Sequence, residues 1–217
     1  MTEFPKSTRV GKVFSESKFF RKLAMSKRQL PFGNIECIIW RNKLAASTLN
    51  VKSGKNIVEI QVFEVRLKTP KASESILRII DNSIPYPIIF LLRFGEQYQA
   101  WLGYKETDSS GVSFSVKRYY KTDWMNFEDL PLCISGLSLD EIYSNFLSQL
   151  NPEIKNIYED GGSLRARVDC ADEIRRLETE IERLKAKIYS EKQFNKQMKL
   201  NEKCKILQEK LNNLKKL

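Results

Sequence analysis

From about Asp169 to Leu217 the chain contains neither glycine nor proline, and an apolar residue recurs every three or four positions. The series runs Ile174, Leu177, Ile181, Leu184, Ile188, pauses, then resumes as Leu200, Cys204, Leu207, Leu211, Leu214. Alternating steps of three and four trace a narrow seam on a helix, the a/d pattern of a coiled coil. Charged residues fill most other positions, so such a helix cannot bury itself as a globular core helix does. The seam residues Ile174, Leu177, Ile181, Leu184, Ile188, Leu200, Leu207, Leu211 and Leu214 are therefore expected to meet a partner surface. Between Ile188 and Leu200 the register fails: a continued heptad puts Asn195 in the core and leaves Phe194 and Met198 outside it. One continuous helix of about 45 residues spans about 68 Å. The alternative is a hairpin folded back near Ser190 to Asn195, whose halves close on each other or open to receive a partner helix. The lack of glycine or proline favours the rod, and the lost register favours the hairpin.

A chain of 217 residues holds one real core plus an appendage, and 41% hydrophobic content argues against disorder. The most restrictive count is zero histidines. That excludes Ser-His-Asp and Cys-His catalysis, HExxH metal sites and imidazole acid–base chemistry. The four cysteines, Cys37, Cys133, Cys170 and Cys204, stand far apart with no CxxC pair. Neither a zinc nor an iron–sulfur site is expected, and the pattern fits a reducing compartment. Met1 to Lys12 lacks the apolar core of a signal peptide, and Ile84 to Leu92 is too short to span a bilayer. The expectation is a cytoplasmic protein with no metal and no cofactor.

The net charge of +10 is loaded on the ends. Residues 1–30 hold eight Lys/Arg against two Asp/Glu, and residues 165–217 hold fifteen against nine, whereas 31–164 hold fourteen against sixteen. In the tail, lysines around a seam are adequately explained as a solvated face. The amino-terminal set (Lys6, Arg9, Lys12, Lys18, Arg21, Lys22, Lys27, Arg28) is the better candidate for contact with nucleic-acid phosphates.

Along the body, Arg9 to Phe14 reads as a strand, followed by a helix with Phe19, Phe20, Leu23 and Ala24 on one face. Ile35 to Trp40 and Thr48 to Val51 read as strands, with a turn over Gly54 to Asn56. Ile57 to Lys68 is the longest strand. Its apolar residues change phase from Val58, Ile60, Val62 to Phe63, Val65, Leu67, which calls for a bulge near 62–63 or burial on both faces. Ser73 to Ile84 reads as a helix, Ile88 to Phe94 and Gln97 to Tyr104 as a hairpin about Gly95-Glu96, and Val112 to Lys121 and Leu130 to Ile134 as further strands. Ser138-Leu139-Asp140-Glu141 is a capping box opening a helix with Ile142, Phe146 and Leu150 on one side. The organisation expected is an α+β domain over 1–150, a mixed or mostly antiparallel sheet with helices on one face, a linker over 151–165 containing Glu159 to Ser163, and the helical tail over 166–217.

Two constellations bear on chemistry. The long strand carries Glu59, Gln61, Glu64, Arg66 and Lys68. A divalent-metal nuclease of the PD-(D/E)xK type needs a strand-borne acid and Glu-x-Lys to hold Mg²⁺ and orient water. Glu59, Glu64 and Lys68 come near that set, with Glu36 on a neighbouring strand, but no acidic-x-Lys triplet is present. Solvent-facing charges on an amphipathic strand give the same letters. Lys117, Arg118 and Lys121 interleave with Tyr119, Tyr120 and Trp124, as single-strand-binding sheets do. No Gly-rich phosphate loop occurs, and Ser7-Thr8 between Lys6 and Arg9 is a weak phosphate signal.

Phe4-Pro5-Lys6-Ser7-Thr8, Leu49-Asn50-Val51, Tyr120-Lys121-Thr122-Asp123-Trp124 and Ile134-Ser135-Gly136-Leu137-Ser138-Leu139-Asp140-Glu141-Ile142-Tyr143, with Glu191 to Asn195 and Leu200-Asn201 in the tail, together resemble a bacterial and archaeal family of unknown function. The resemblance covers nearly the whole chain. It implies a comparable body with a charged helical tail, and genes that often lie beside DNA methyltransferases and helicases in restriction-like or phage-defence loci. It carries over no catalytic residue. The leading expectation is a non-catalytic accessory subunit of a DNA-directed defence complex, docked to a helicase or methyltransferase, or to a second copy, through its tail. DNA would be contacted by Lys6, Arg9, Lys12, Arg21 and Lys22, with Lys117, Arg118 and Lys121 as further candidates. The alternatives are the Mg-dependent nuclease and a structural adaptor without nucleic-acid affinity.

Overall fold

The computed structural model describes residues 4–22, 34–107, 114–151, 154 and 163–215. The chain divides into two units, Met1–Leu150 and Asn151–Leu217. Leu23, Ala24, Lys27, Arg28 and most of the expected linker lie outside the described residues.

The first unit holds six strands: β1 (Arg9–Ser15), β2 (Ile35–Ala45), β3 (Glu59–Leu67), β4 (Ile88–Phe94), β5 (Gln97–Thr107) and β6 (Phe114–Lys121). They lie in one sheet in chain order, and every neighbouring pair is antiparallel except β3 with β4. A parallel pair needs a crossover, which α3 (Glu74–Ser83) provides. Helix α1 (Glu16–Lys22) follows β1, a short α2 (Ala46–Leu49) follows β2, and α4 (Leu139–Leu150) comes last.

Strand β3 is buried on both faces. Phe63, Val65 and Leu67 join Ile38, Phe90, Leu92 and Trp101 in a core closed by Phe19 of α1 and Ile76, Leu77 and Ile80 of α3. Each aliphatic side chain so buried contributes about 1.5–3 kcal/mol. The opposite face carries Ile60, Val62, Ile89, Leu91, Ala100 and Leu102, all fully buried. Helix α4 contacts β3, β5 and β6, and its Tyr143 hydroxyl donates to Gly103 O at 2.8 Å and accepts from Lys105 N–H at 3.2 Å. Helices therefore cover both faces of the expected mixed sheet, not one alone. The phase change in β3 follows from this double burial. The accompanying bulge sits on β2, where Arg41 is the extra residue between the Trp40–Phe63 and Asn42–Val62 pairs.

Two expected strands are absent. Thr48 lies in α2 because its hydroxyl folds back on the chain, accepting from Ala45 N–H and lying 3.0 Å from Lys43 O. Asn50 then ends the turn at φ 54°. Residues 130–136 form no ladder, because side chains of α4 take the place of a neighbouring strand. Gln149 accepts from Cys133 N–H and donates to Cys133 O, and Asn145 donates to Ser135 O. The capping box is shifted: Ser138 Oγ accepts from Glu141 N–H, while the Glu141 carboxylate accepts from Leu137 N–H. Asp140 instead accepts from the N–H groups of Lys55, Asn56 and Ile57, pinning the expected turn. A Cβ on Gly54 would stand 2.5 Å from that carboxylate, so the turn requires glycine here.

The crossover is locked by a buried ion pair. Lys105 Nζ donates to Asp81 O, Ile84 O and Tyr86 O at 2.8, 3.1 and 2.8 Å and sits 2.8 Å from Asp81 Oδ1. Its three protons are committed to carbonyls at the carboxyl end of α3, so Oδ1 takes charge compensation without a hydrogen bond of good geometry. Tyr119 donates to Asp81 Oδ2 at 2.7 Å. Burial raises the Asp81 carboxyl and lowers the Lys105 ammonium from their ordinary values, each offset in part by the other.

The second unit contains α5 (Leu164–Ser190) and α6 (Phe194–Leu214), which form a helical hairpin. Ile181, Leu184 and Cys204 make its buried cluster, with Ile188, Leu200, Leu207 and Leu211 packed against it. Lys210–Glu173 and Lys203–Glu180 bridge the two helices at 2.6 and 3.0 Å. The break needs no glycine, because Glu191 leaves α5 in extended backbone at φ −78° and ψ 126°, which any residue adopts. Gln197 caps the Ile188 carbonyl and the Glu191 carboxylate accepts from Gln193 N–H. Among the described residues no helix is long and apolar enough to cross a membrane.

Lys105→Met should lower stability by about 3–5 kcal/mol by stranding a buried carboxylate. Adding Asp81→Asn should recover a large part of that loss in urea unfolding. A single variant as stable as the parent, or a double no better than the single, would contradict the role given to this pair.

Candidate functional site: a buried glutamate among three arginines

Toward the carboxyl ends of β3 and β4 the α4-side face changes character. Ile60 and Val62 give way to Glu64 and Arg66 on β3, and Ile89 and Leu91 give way to Arg93 on β4. Arg66 and Arg93 are paired in the parallel register, which by itself sets two like charges side by side. Glu64 compensates them. Its Oε1 accepts from Arg66 Nε at 2.9 Å and lies 4.0 Å from Arg93 Nη1, while Oε2 accepts from Arg41 Nη1 at 3.2 Å. The Glu64 side chain is 6% exposed, against 31% for Arg41, 40% for Arg66 and 27% for Arg93. Arg41 reaches the carboxylate because it is the bulged residue of β2.

Aromatic rings hold the arginines in place. Arg41 lies over Phe127 at 4.5 Å and Arg93 over Tyr98 at 5.5 Å, and the two rings meet edge to face at 5.1 Å. Phe127 begins a 3-10 turn (Phe127–Asp129) that is anchored when Tyr98 and Met125 exchange backbone hydrogen bonds. Arg93 also donates to Gly95 O and to the exposed Glu96 carboxylate. The hydrogen bond to Glu64 holds Arg66 further above its ordinary value. Burial pushes the Tyr98 phenol up, and pushes the neighbouring Cys37 thiol up despite Arg66 beside it, so Cys37 is not an activated thiol.

The nuclease set does not converge. Glu59 and Glu64 have opposite strand parity, so they point to opposite faces, about 16 Å apart along β3. Glu59 is engaged by Lys43 at 2.6 Å and by the Gln61 amide, and Lys68 is exposed beyond the end of β3. Among the described residues no group of three acidic or cysteine side chains is placed to hold a metal ion. Glu59 and Glu64 therefore cannot share one Mg²⁺ whose water Lys68 would orient.

The expected nucleic-acid residues split between the two sheet edges. Lys6, Arg9 and Lys12 are exposed at β1, and Arg21 is exposed on α1; the side chain of Lys22 lies outside the described residues. Lys117 and Lys121 are exposed on β6, with Arg118 half-buried. Five strand spacings, about 24 Å, separate the edges, so these are two patches. Lys121 rests over the Trp101 ring at 4.7 Å. Ser7 and Thr8 make no phosphate loop: Ser7 donates to Thr48 O, and buried Thr8 donates to Pro5 O and accepts from Asn42. The tail seam, expected to face a partner, is instead used within the chain to close the hairpin around Ile181, Leu184 and Cys204.

Sequence reasoning missed Arg41 and Arg93, which lie on different strands from Glu64 and are joined to it only by register. Of the exposed apolar residues of the tail it named Phe194 and Met198 only as out of register, and it passed over Tyr189 and Ile206. Tyr189, Phe194, Met198 and Ile206 are 94%, 71%, 57% and 59% exposed. Their signal was present as the residues that fall out of the heptad.

Glu64→Gln should cost about 1–3 kcal/mol, since three arginines lose their shared charge partner. The deficit should shrink as salt is raised, because the uncovered repulsion is then screened. Denaturant unfolding at two ionic strengths measures this; an equal deficit at both would argue that charge is not what Glu64 supplies.

No curated relative and no solved structure matches the chain. A family model described as Domain of unknown function (DUF4391) matches residues 3–211. That match spans both the sheet unit and the hairpin, and the chain belongs to the DUF4391 family.

Proposed function

We propose that this protein is a non-catalytic accessory subunit of a DNA-directed complex, and that the helical hairpin is its docking arm. The observation that carries this reading is the exposure of Tyr189, Phe194 and Met198 on either side of the hairpin turn. Large apolar side chains grouped at one end of an otherwise charged element are the composition of an interface core. Beside them α6 carries five lysines against two glutamates. The complementary surface is acidic with apolar sockets. The family resemblance supplies the partner class, a helicase or DNA methyltransferase subunit of a restriction-like or defence locus in the cytoplasm. A second copy of this chain is the competing occupant, and a purely structural adaptor differs only in having no contact with DNA.

The amino-terminal unit contributes the nucleic-acid contact in this reading. Lys6, Arg9 and Lys12 lie exposed along a sheet edge whose irregular register between Arg9 and Lys12, with Gly11 at φ 67°, discourages strand addition. Edge lysines and arginines without base-reading neighbours suit contact with the phosphate backbone, not sequence readout.

In a native pull-down, Tyr189→Ala, Phe194→Ala and Met198→Ala together should reduce partner retention by about a hundredfold or more, as for loss of hot-spot anchors. Retention equal to the parent would refute the docking arm. Separately, neutralising Lys6, Arg9 and Lys12 should flatten the salt dependence of DNA binding by about three counterions. An unchanged slope would remove this edge from the DNA contact.

A further inference from the structure

We infer that Arg41, Arg66 and Arg93 form an anion site for a phosphate monoester on the sheet face, with Glu64 as its built-in organiser. The inference is independent of the docking arm and of the β1 edge. Three guanidinium groups converge on the buried Glu64 carboxylate, and with Glu96 paired to Arg93 at 3.2 Å the group keeps one positive charge in excess. Glu96 meets Arg93 from outside, and Glu36 lies close enough to Arg66 to act on it, but neither bonds Arg41 or Arg66. Among the described residues Arg66 spends only its Nε on a hydrogen bond and Arg41 only its Nη1. The remaining N–H donors of both are available to a ligand, and both side chains are about one-third exposed or more.

The chemistry of that arrangement is selective. Planar guanidinium forks match the oxygens of phosphate bidentately, which a spherical anion such as chloride cannot do. Glu64, Phe127 and Tyr98 hold the forks in position before any ligand arrives, which lowers the ordering cost of binding. The location agrees with the general placement of ligands outside the carboxyl ends of parallel strands, here β3 and β4. The phosphate could belong to a small molecule or to the 5′ end of a nucleic acid. The shared chemistry is the monoester dianion, and the experiment separates the two sources.

The test uses the full chain at pH 7.5 and constant ionic strength. Inorganic phosphate should raise the melting temperature above a chloride control, and calorimetry should give a single site. Arg66→Gln and Arg41→Gln should each weaken phosphate binding by about tenfold or more, the value of a charge-assisted hydrogen bond. Circular dichroism and ligand-free melting show whether each variant is folded. A 5′-phosphorylated oligonucleotide binding more tightly than the same strand with a 5′-hydroxyl, in an arginine-dependent way, assigns the phosphate to a nucleic-acid end. Equal binding of the two strands, with phosphate still binding, assigns it to a small molecule. If phosphate stabilises no more than chloride, or if folded Arg66→Gln and Arg41→Gln bind it unchanged, there is no such site.

Discussion

The body of this protein depends on β3 being covered on both faces and paired on both edges. It is antiparallel to β2 and parallel to β4, so the chain between β3 and β4 must cross over a face of the sheet. Helix α3 makes that crossing and buries Ile76, Leu77 and Ile80 as it does so. The end of α3 is a weak point, because carbonyls there would be buried without partners. Lys105, reaching from β5, satisfies three of them, and Asp81 makes a buried ammonium tolerable. One ion pair thus ties the crossover helix to the antiparallel half of the sheet. On the α4-side face of β3 and β4 the charged residues Glu64, Arg66 and Arg93 come at the carboxyl ends of the strands, and that is where the arginine cluster sits.

The tail solves a different problem. A seam of two apolar residues per heptad needs a partner helix, and here α6 is the partner of α5. Closing the hairpin consumes the seam and leaves the residues that do not fit the repeat, Tyr189, Phe194 and Met198, outside. A docking reading of this arm therefore rests on the residues that break the pattern.

Much of this was legible in the sequence where a signal is local. The strands at Arg9, Ile35, Ile57, Ile88 and Gln97, the helix after Ser73, the glycine turn at Gly54 and the capping segment at Ser138 all follow from periodicity and turn chemistry. The errors come from side chains that substitute for backbone. Thr48 turned an expected strand into a helical turn, and Gln149 with Asn145 removed the need for a strand at Leu130 to Ile134. Arg41 and Arg93 were invisible because strand register, which sequence does not give, joins them to Glu64. Several residues that carry the family resemblance act as latches: Thr8 with Asn42, Thr122 with Ala100, and Asp140 with the loop at Lys55.

The central claim is that the tail stays closed on itself and binds through its turn. The direct measurement is the distance between spin labels placed at exposed positions 176 and 209 by chemistry orthogonal to the four cysteines, in the free chain and in its native complex. A hairpin puts these labels side by side, and the account predicts the same short distance in both states. A distance near 50 Å, as expected for 33 residues of continuous helix at about 1.5 Å each, would contradict it. A short distance that lengthens on complex formation would return the seam residues to the partner.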